Sequence, residues 1–200
     1  MQSGENAGMR IHEKELFETL NQRLCEADMF LAVICVGGFV LNHYGMRATQ
    51  DIDGFYKSTK KLNDIIRAVG EEFHVNTEDE LWLNNSVQNM NQSPPEDICE
   101  ELYAFSNLKV LIPPLDYVAG MKLISARGQD IEDVAAIIQK LEIHSPEEFL
   151  EQMGRYGFPH MDESLVLEAF GTAYGMNWLE KYFIEHEEEI NQRIHSGSGY

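Results

Sequence analysis

Leu16, Leu20 and Leu24 recur four residues apart within IHEKELFETLNQRLCEAD, and this spacing predicts an amphipathic helix over residues 11–28. LAVICV (31–36) is instead a short unbroken apolar run of β-branched character, the signature of a buried strand. Gly37-Gly38 ends it. FVLNHY (39–44) fits a two-turn helix closed by Gly45. A second apolar run at 51–56 predicts another strand. In KSTKKLNDIIRAVGEEF (57–73), Leu62, Ile65, Ile66 and Val69 share one helical face. The middle of the chain is less regular. ELWLNNSVQNM (80–90) is read as a short helix, NQSPPED (91–97) as a loop, and NLKVLIP (107–113) as a third strand ended by Pro113-Pro114.

Beyond residue 114 the pattern is helical. LDYVAGMKLISAR (115–127) predicts one helix stopped by Gly128, and DIEDVAAIIQKL (130–141) another. Ser145-Pro146-Glu147-Glu148 carries a start signal, with Ser as N-cap, Pro at the first helical position and Glu at the third. Residues 163–194 add one or two more helices. Strands grouped before helices predict an α+β fold rather than alternating βαβ units. The expected organisation is a disordered stretch over 1–10, a core over 11–113 and a helical region over 114–200.

Composition narrows the function. At 44% hydrophobic the 200-residue chain can bury a core. It has no apolar run of membrane-spanning length, and MQSGENAGMR lacks the apolar segment of a signal peptide. Cys25, Cys35 and Cys99 share no metal-ligand spacing and are read as reduced thiols, which with the rest points to the cytoplasm. The seven histidines form no HxxH or HExxH pair, so no zinc site is expected. A net charge of −19 repels nucleic acid and argues against strong nonspecific DNA binding. It favours small substrates or a basic protein partner.

The chemistry concentrates in VICVGGFVLNHYGMRATQDIDGFY (33–56). Alternation along a strand puts Asp51 and Asp53 on one face, where their carboxylates can hold divalent metal. Gly37-Gly38 sits at a strand-to-helix junction. Without Cβ atoms, its backbone N–H groups can come close to phosphate oxygens, helped by the positive end of the following helix. Arg47 and Thr49 could add donors to the same anion. Taken singly, a DxD at a strand start is ordinarily a solvated turn and a GG pair ordinarily a turn. Their combination in strand–GG–helix–RxTxDxD–strand is much rarer.

That combination resembles the signature of the nucleotidyltransferase superfamily, and VGGFVLNHYGMRATQDID is most similar to its bacterial branch of minimal and AbiE-toxin-like members. Pro114 through Asp133, PxxYVxxMKLxxxRxxDxxD, is similar to the helical segment that follows the catalytic domain there. The resemblance covers roughly residues 33–56 and 111–145. It implies a small mixed sheet flanked by helices, with a C-terminal helical region. It implies Mg²⁺ or Mn²⁺ on Asp51 and Asp53 as catalytic residues, and a nucleoside triphosphate near Gly37, Gly38, Arg47, Thr49 and Lys122. The implied reaction moves a nucleoside monophosphate to a hydroxyl of an RNA, protein or small-molecule acceptor. A toxin–antitoxin or phage-defence setting goes with it. Many active relatives use a third carboxylate. Here Asn84 and Asn85 stand where an acid might have served, and Glu78, Asp79, Glu80, Glu100 and Glu101 qualify by position only. The alternative is a catalytically degenerate member that binds nucleotide or protein.

Three further groups have plainer readings beside the functional ones. Asp130 and Asp133 fit an N-cap with an acidic third residue, and Arg127 could pair with Asp130. Glu185 through Glu189 form a solvated helix face or a docking site for a basic partner. Trp82, Trp178, Tyr174 and Tyr182 are packing residues, with base stacking as the alternative.

Overall fold

Leu31–Val36 (β1) forms the middle of a five-stranded mixed sheet in the computed structural model, which describes residues 3–49, 51–77, 80–89, 93–125, 128–158 and 160–187. On one side β1 pairs antiparallel with Ile52–Phe55 (β2), and β2 pairs parallel with the two-residue Leu83–Asn84 (β3). On the other side β1 pairs parallel with Leu108–Ile112 (β5), which pairs antiparallel with the edge strand Glu100–Ala104 (β4). With helices following the sheet in sequence, the fold is α+β, as the hydrophobic pattern predicts. The chain divides into two units, Met1–Val118 and Ala119–Tyr200.

In the first unit, Ser3–Glu26 (α1) presents Leu16, Leu20 and Leu24 to the core, all buried. Gly38–His43 (α2) follows β1 directly. Lys60–Glu72 (α3) starts at Thr59, whose hydroxyl accepts from the Leu62 amide at 3.2 Å, and buries Leu62, Ile66 and Val69. Phe17 joins these layers, its ring centroid 6.1 Å from Phe39, 5.6 Å from Trp82 and 5.6 Å from Tyr103. Trp82 is buried, as its packing role requires, and its indole N–H donates to the Ile66 carbonyl at 2.9 Å.

Two segments depart from the predicted pattern. Residues 80–90 hold β3 and a 3-10 turn, Ser86–Asn89, in place of a short helix. The backbone of Trp82 is used by β2, its carbonyl accepting from Ile52 at 2.8 Å, and the Asn84 side chain then accepts from the Ser86 amide at 3.0 Å. Such a side-chain turn competes with helix. The sequence pattern also gave no sign of β4, where Glu100 and Glu101 are exposed and no apolar alternation marks a strand.

Gly70 shows how closely this unit is packed. A Cβ there would lie 2.0 Å from Asn76 Oδ1 and 2.5 Å from Trp82 Cδ1. Asn76 cannot easily retreat, because its amide donates to the Arg67 carbonyl and accepts from the Trp82 amide. Gly70→Ala is expected to lower stability by about 1–3 kcal/mol, despite the better helix propensity of alanine. Urea unfolding of the full chain measures this.

The second unit is helical. Leu115–Ser125 (α4), which begins in the first unit, leads into Asp130–Lys140 (α5), Pro146–Arg155 (α6), Glu163–Tyr174 (α7) and Met176–Glu185 (α8). Ser145 caps α6 as its sequence signal predicts, accepting from the Glu148 amide at 3.1 Å. Residues 163–187 form two helices because Gly175, at φ 89°, turns the chain between them. α7 packs against α5 and α8. Phe170 of α7 stacks on Trp178 of α8 with centroids 5.5 Å apart, a contact between helices, and Trp178 stacks on Tyr182 of the same helix at 5.3 Å. Glu185 ends α8 on the exposed side, while Glu188 and Glu189 lie outside the described residues. No helix among the described residues is long and apolar enough to cross a membrane.

Candidate functional site

The register of β1 and β2 fixes where the acidic pair stands. Val36 lies opposite Asp53 and Cys35 opposite Gly54, so the end of β1, where the glycine pair begins, is beside Asp53. Asp51 and Asp53 flank the buried Ile52; Asp51 is exposed and Asp53 half-buried. Gly37 adopts φ 63°, a region that favours glycine, and a Cβ there would sit 3.3 Å from Asp53 Oδ2. A Cβ on Gly38 would sit 3.0 Å from Thr49 Oγ1. Gly37 therefore faces the Asp53 carboxylate, and Gly38 faces Thr49, the residue whose hydroxyl holds Asp51.

Hydroxyl groups orient both carboxylates. Thr49 Oγ1 donates to Asp51 Oδ1 at 2.8 Å, and Ser86 Oγ donates to Asp53 Oδ1 at 2.9 Å. Gly37, Gly38, Thr49, Asp51 and Asp53 are thus brought together, with Arg47 exposed on the same α2–β2 connection. Ser86 was not found from sequence. It lies 33 residues from Asp53, and only the turn set by Asn84 brings it there.

Asn84 takes the position of special interest. It is the Cα partner of Asp53 across the parallel β2–β3 pair, so its side chain emerges on the same face. Glu100 and Glu101 are on β4, separated from β2 by β1 and β5. Glu80 is exposed in a turn where its amide donates to the Thr77 hydroxyl at 2.9 Å. Glu78 and Asp79 lie outside the described residues. Among the described residues no group of three or more His, Cys, Asp or Glu side chains could hold a metal. The residues that could hold a divalent metal are Asp51 and Asp53, each steadied through Oδ1, since Mg²⁺ usually takes one or two protein carboxylates together with substrate phosphates.

Cys25, Cys35 and Cys99 form no disulfide. Burial, then the nearby charges of Glu13 and Asp53, raises the Cys35 thiol well above its ordinary range. Burial, with Glu96 and Asp97, pushes Cys99 up to about 11.

Lys122 belongs to the second unit, on α4. It is buried, and its ammonium donates to Asp130 Oδ1 at 2.9 Å and Asp133 Oδ2 at 2.6 Å. Ser125 Oγ donates to the other oxygen of Asp130 at 2.6 Å. The cap of α5 is Gln129 rather than Asp130. Asp130 and Asp133 occupy the first turn, as acidic residues favour, but their carboxylates converge on Lys122. Arg127 lies outside the described residues.

A family profile described as "nucleotidyltransferase of unknown function (DUF6036)" matches residues 13–170, which takes in β1, the glycine pair, Asp51, Asp53 and most of the second unit. The chain belongs to this family. No curated protein and no solved structure matches it. Within this nucleotidyltransferase family member, the profile spans both the acidic pair and the Lys122 cluster.

Proposed function

We propose that this protein is a metal-dependent nucleotidyltransferase whose centre is Asp51 and Asp53. The observation that carries the reading is the facing of bare glycine and carboxylate. The space beside Gly37 that a Cβ would occupy lies 3.3 Å from Asp53 Oδ2, so a phosphate resting on that backbone would also border the acidic pair. Family membership supports a nucleoside triphosphate as substrate.

In this reading Asp51 and Asp53 would hold Mg²⁺ or Mn²⁺, which when bound would neutralise phosphate charge. Thr49 and Ser86 keep the carboxylates aimed. Gly37 and Gly38 admit the phosphates, and exposed Arg47 adds positive charge. Lys122, whose ammonium is taken up by two carboxylates, is left out of this set. An acceptor hydroxyl oxygen bonds to the α-phosphorus as the bond to the bridging oxygen breaks. Pyrophosphate leaves, and the hydroxyl proton is released. The net charge of −19 favours a protein or small-molecule hydroxyl over RNA, and favours a basic protein partner if the chain acts in a toxin–antitoxin or phage-defence pair.

A second reading, a nucleotide-binding member without transfer activity, draws on Asn84. An amide opposite Asp53 supplies neither the charge nor the basicity of a third acid.

Calorimetry with each NTP, with and without Mg²⁺, tests the site. Metal-dependent binding is expected, weakened at least roughly tenfold by Asp51→Asn or Asp53→Asn. Transfer from α-labelled NTP to protein or small-molecule acceptors then separates the two readings. Absence of heat with every NTP would remove both.

A further inference from the structure

A 380 Å³ cavity in the first unit shares Thr49 and Asp51 with the proposed metal and phosphate site. That volume is within the range of about 300–1,000 Å³ common to small-molecule pockets. Its apolar wall comes from Phe39, Ile52, Val75 and Trp82; Phe39 is on α2 and Ile52 on β2, both of which also build the site, and Trp82 directly precedes β3, its carbonyl accepting from the Ile52 amide. Its polar lining includes the Asn42 amide, an adjacent donor and acceptor. Among the described residues no lysine or arginine lines it, whereas Glu13, Asp51 and His74 do. Such a lining rejects a second phosphate and accepts a flat, uncharged ring with hydrogen-bonding edges.

We propose that this cavity receives the heterocyclic base of the nucleotide. The proposal rests on the preceding reading for where the phosphates lie, but not for the ring itself. Thr49 links the two parts. It packs against Gly38, holds Asp51 and lines the cavity, so ring and phosphates would meet across one side chain. Asn42 projects from α2, whose first residue is Gly38, and can pair with a base edge carrying neighbouring donor and acceptor groups.

Trp82 is one of only two tryptophans, so the cavity carries its own reporter. Adenosine, guanosine, cytidine and uridine, which lack phosphates, are titrated against the full chain in the Trp178→Phe background while emission is followed. At least one is expected to change Trp82 emission saturably. Val75→Phe, which fills the cavity, and Asn42→Leu, which removes the amide at similar size, should each raise that nucleoside's Kd roughly tenfold or more. Binding of Mg²⁺-pyrophosphate, measured by calorimetry, should be unchanged in both. If pyrophosphate and NTP bind but no nucleoside changes Trp82 emission, or if both variants bind nucleoside as the parent does, the base site is overturned and the phosphate site stands. If a nucleoside binds and pyrophosphate does not, the base site stands and the phosphate assignment falls. If nothing binds, both fall.

Discussion

Lys122→Met is expected to destabilise the protein by about 3–5 kcal/mol, the usual consequence of removing one partner from a buried charge cluster. The side chains of Lys122, Asp130 and Asp133 are only 10%, 11% and 12% exposed, so water screens little of the interaction. Methionine nearly preserves the volume and removes the charge. What is left is two aspartates that had converged on one ammonium, held together at the start of α5. Urea unfolding followed by circular dichroism should show the loss. The triple variant Lys122→Met, Asp130→Asn, Asp133→Asn should recover a large part of it, because the uncompensated charge is gone. A Lys122→Met protein as stable as the parent would show that the cluster contributes little. Calorimetry with Mg²⁺-NTP on a folded variant adds a separate result: unchanged affinity is expected, since Lys122 is not placed among the phosphate-binding residues.

Asn84→Asp is expected to strengthen Mg²⁺ binding roughly tenfold, by adding a third hard oxygen ligand with full negative charge. The change is nearly isosteric, and aspartate can keep accepting from the Ser86 amide, so the turn that delivers Ser86 to Asp53 should persist. Asn84 lies opposite Asp53, which makes it the position on β3 best placed to add such a ligand. Isothermal titration with Mg²⁺ in the presence of pyrophosphate measures the gain, and Asn84→Ala should show none. If the aspartate variant binds metal no better, Asp51 and Asp53 are not two members of a three-carboxylate arrangement completed at position 84. A rise in transfer alongside the rise in affinity would mark the natural amide as a limit on rate.

Much of this was legible in the residue order. β1, β2, β5 and the long helices follow from apolar periodicity, because each buries a continuous face. The Ser145 cap follows from local chemistry alone. Other features could not be found that way. β4 is held by pairing with β5 rather than by burial of its own side chains. Ser86 reaches Asp53 through a turn, and Lys122 finds two aspartates on the next helix, 8 and 11 residues away. Such contacts depend on where elements end, which short-range patterns define least well.

The two borders of the sheet have a consequence for how this chain meets others. β3 offers only two residues for pairing, and β4 carries the exposed carboxylates of Glu100 and Glu101. A short strand gives an incoming strand little to template on, and on the other edge the exposed Glu100, beside a Glu101 already paired with Lys109 at 3.3 Å, discourages a second copy. Self-assembly by extending the sheet from chain to chain is therefore disfavoured at both margins.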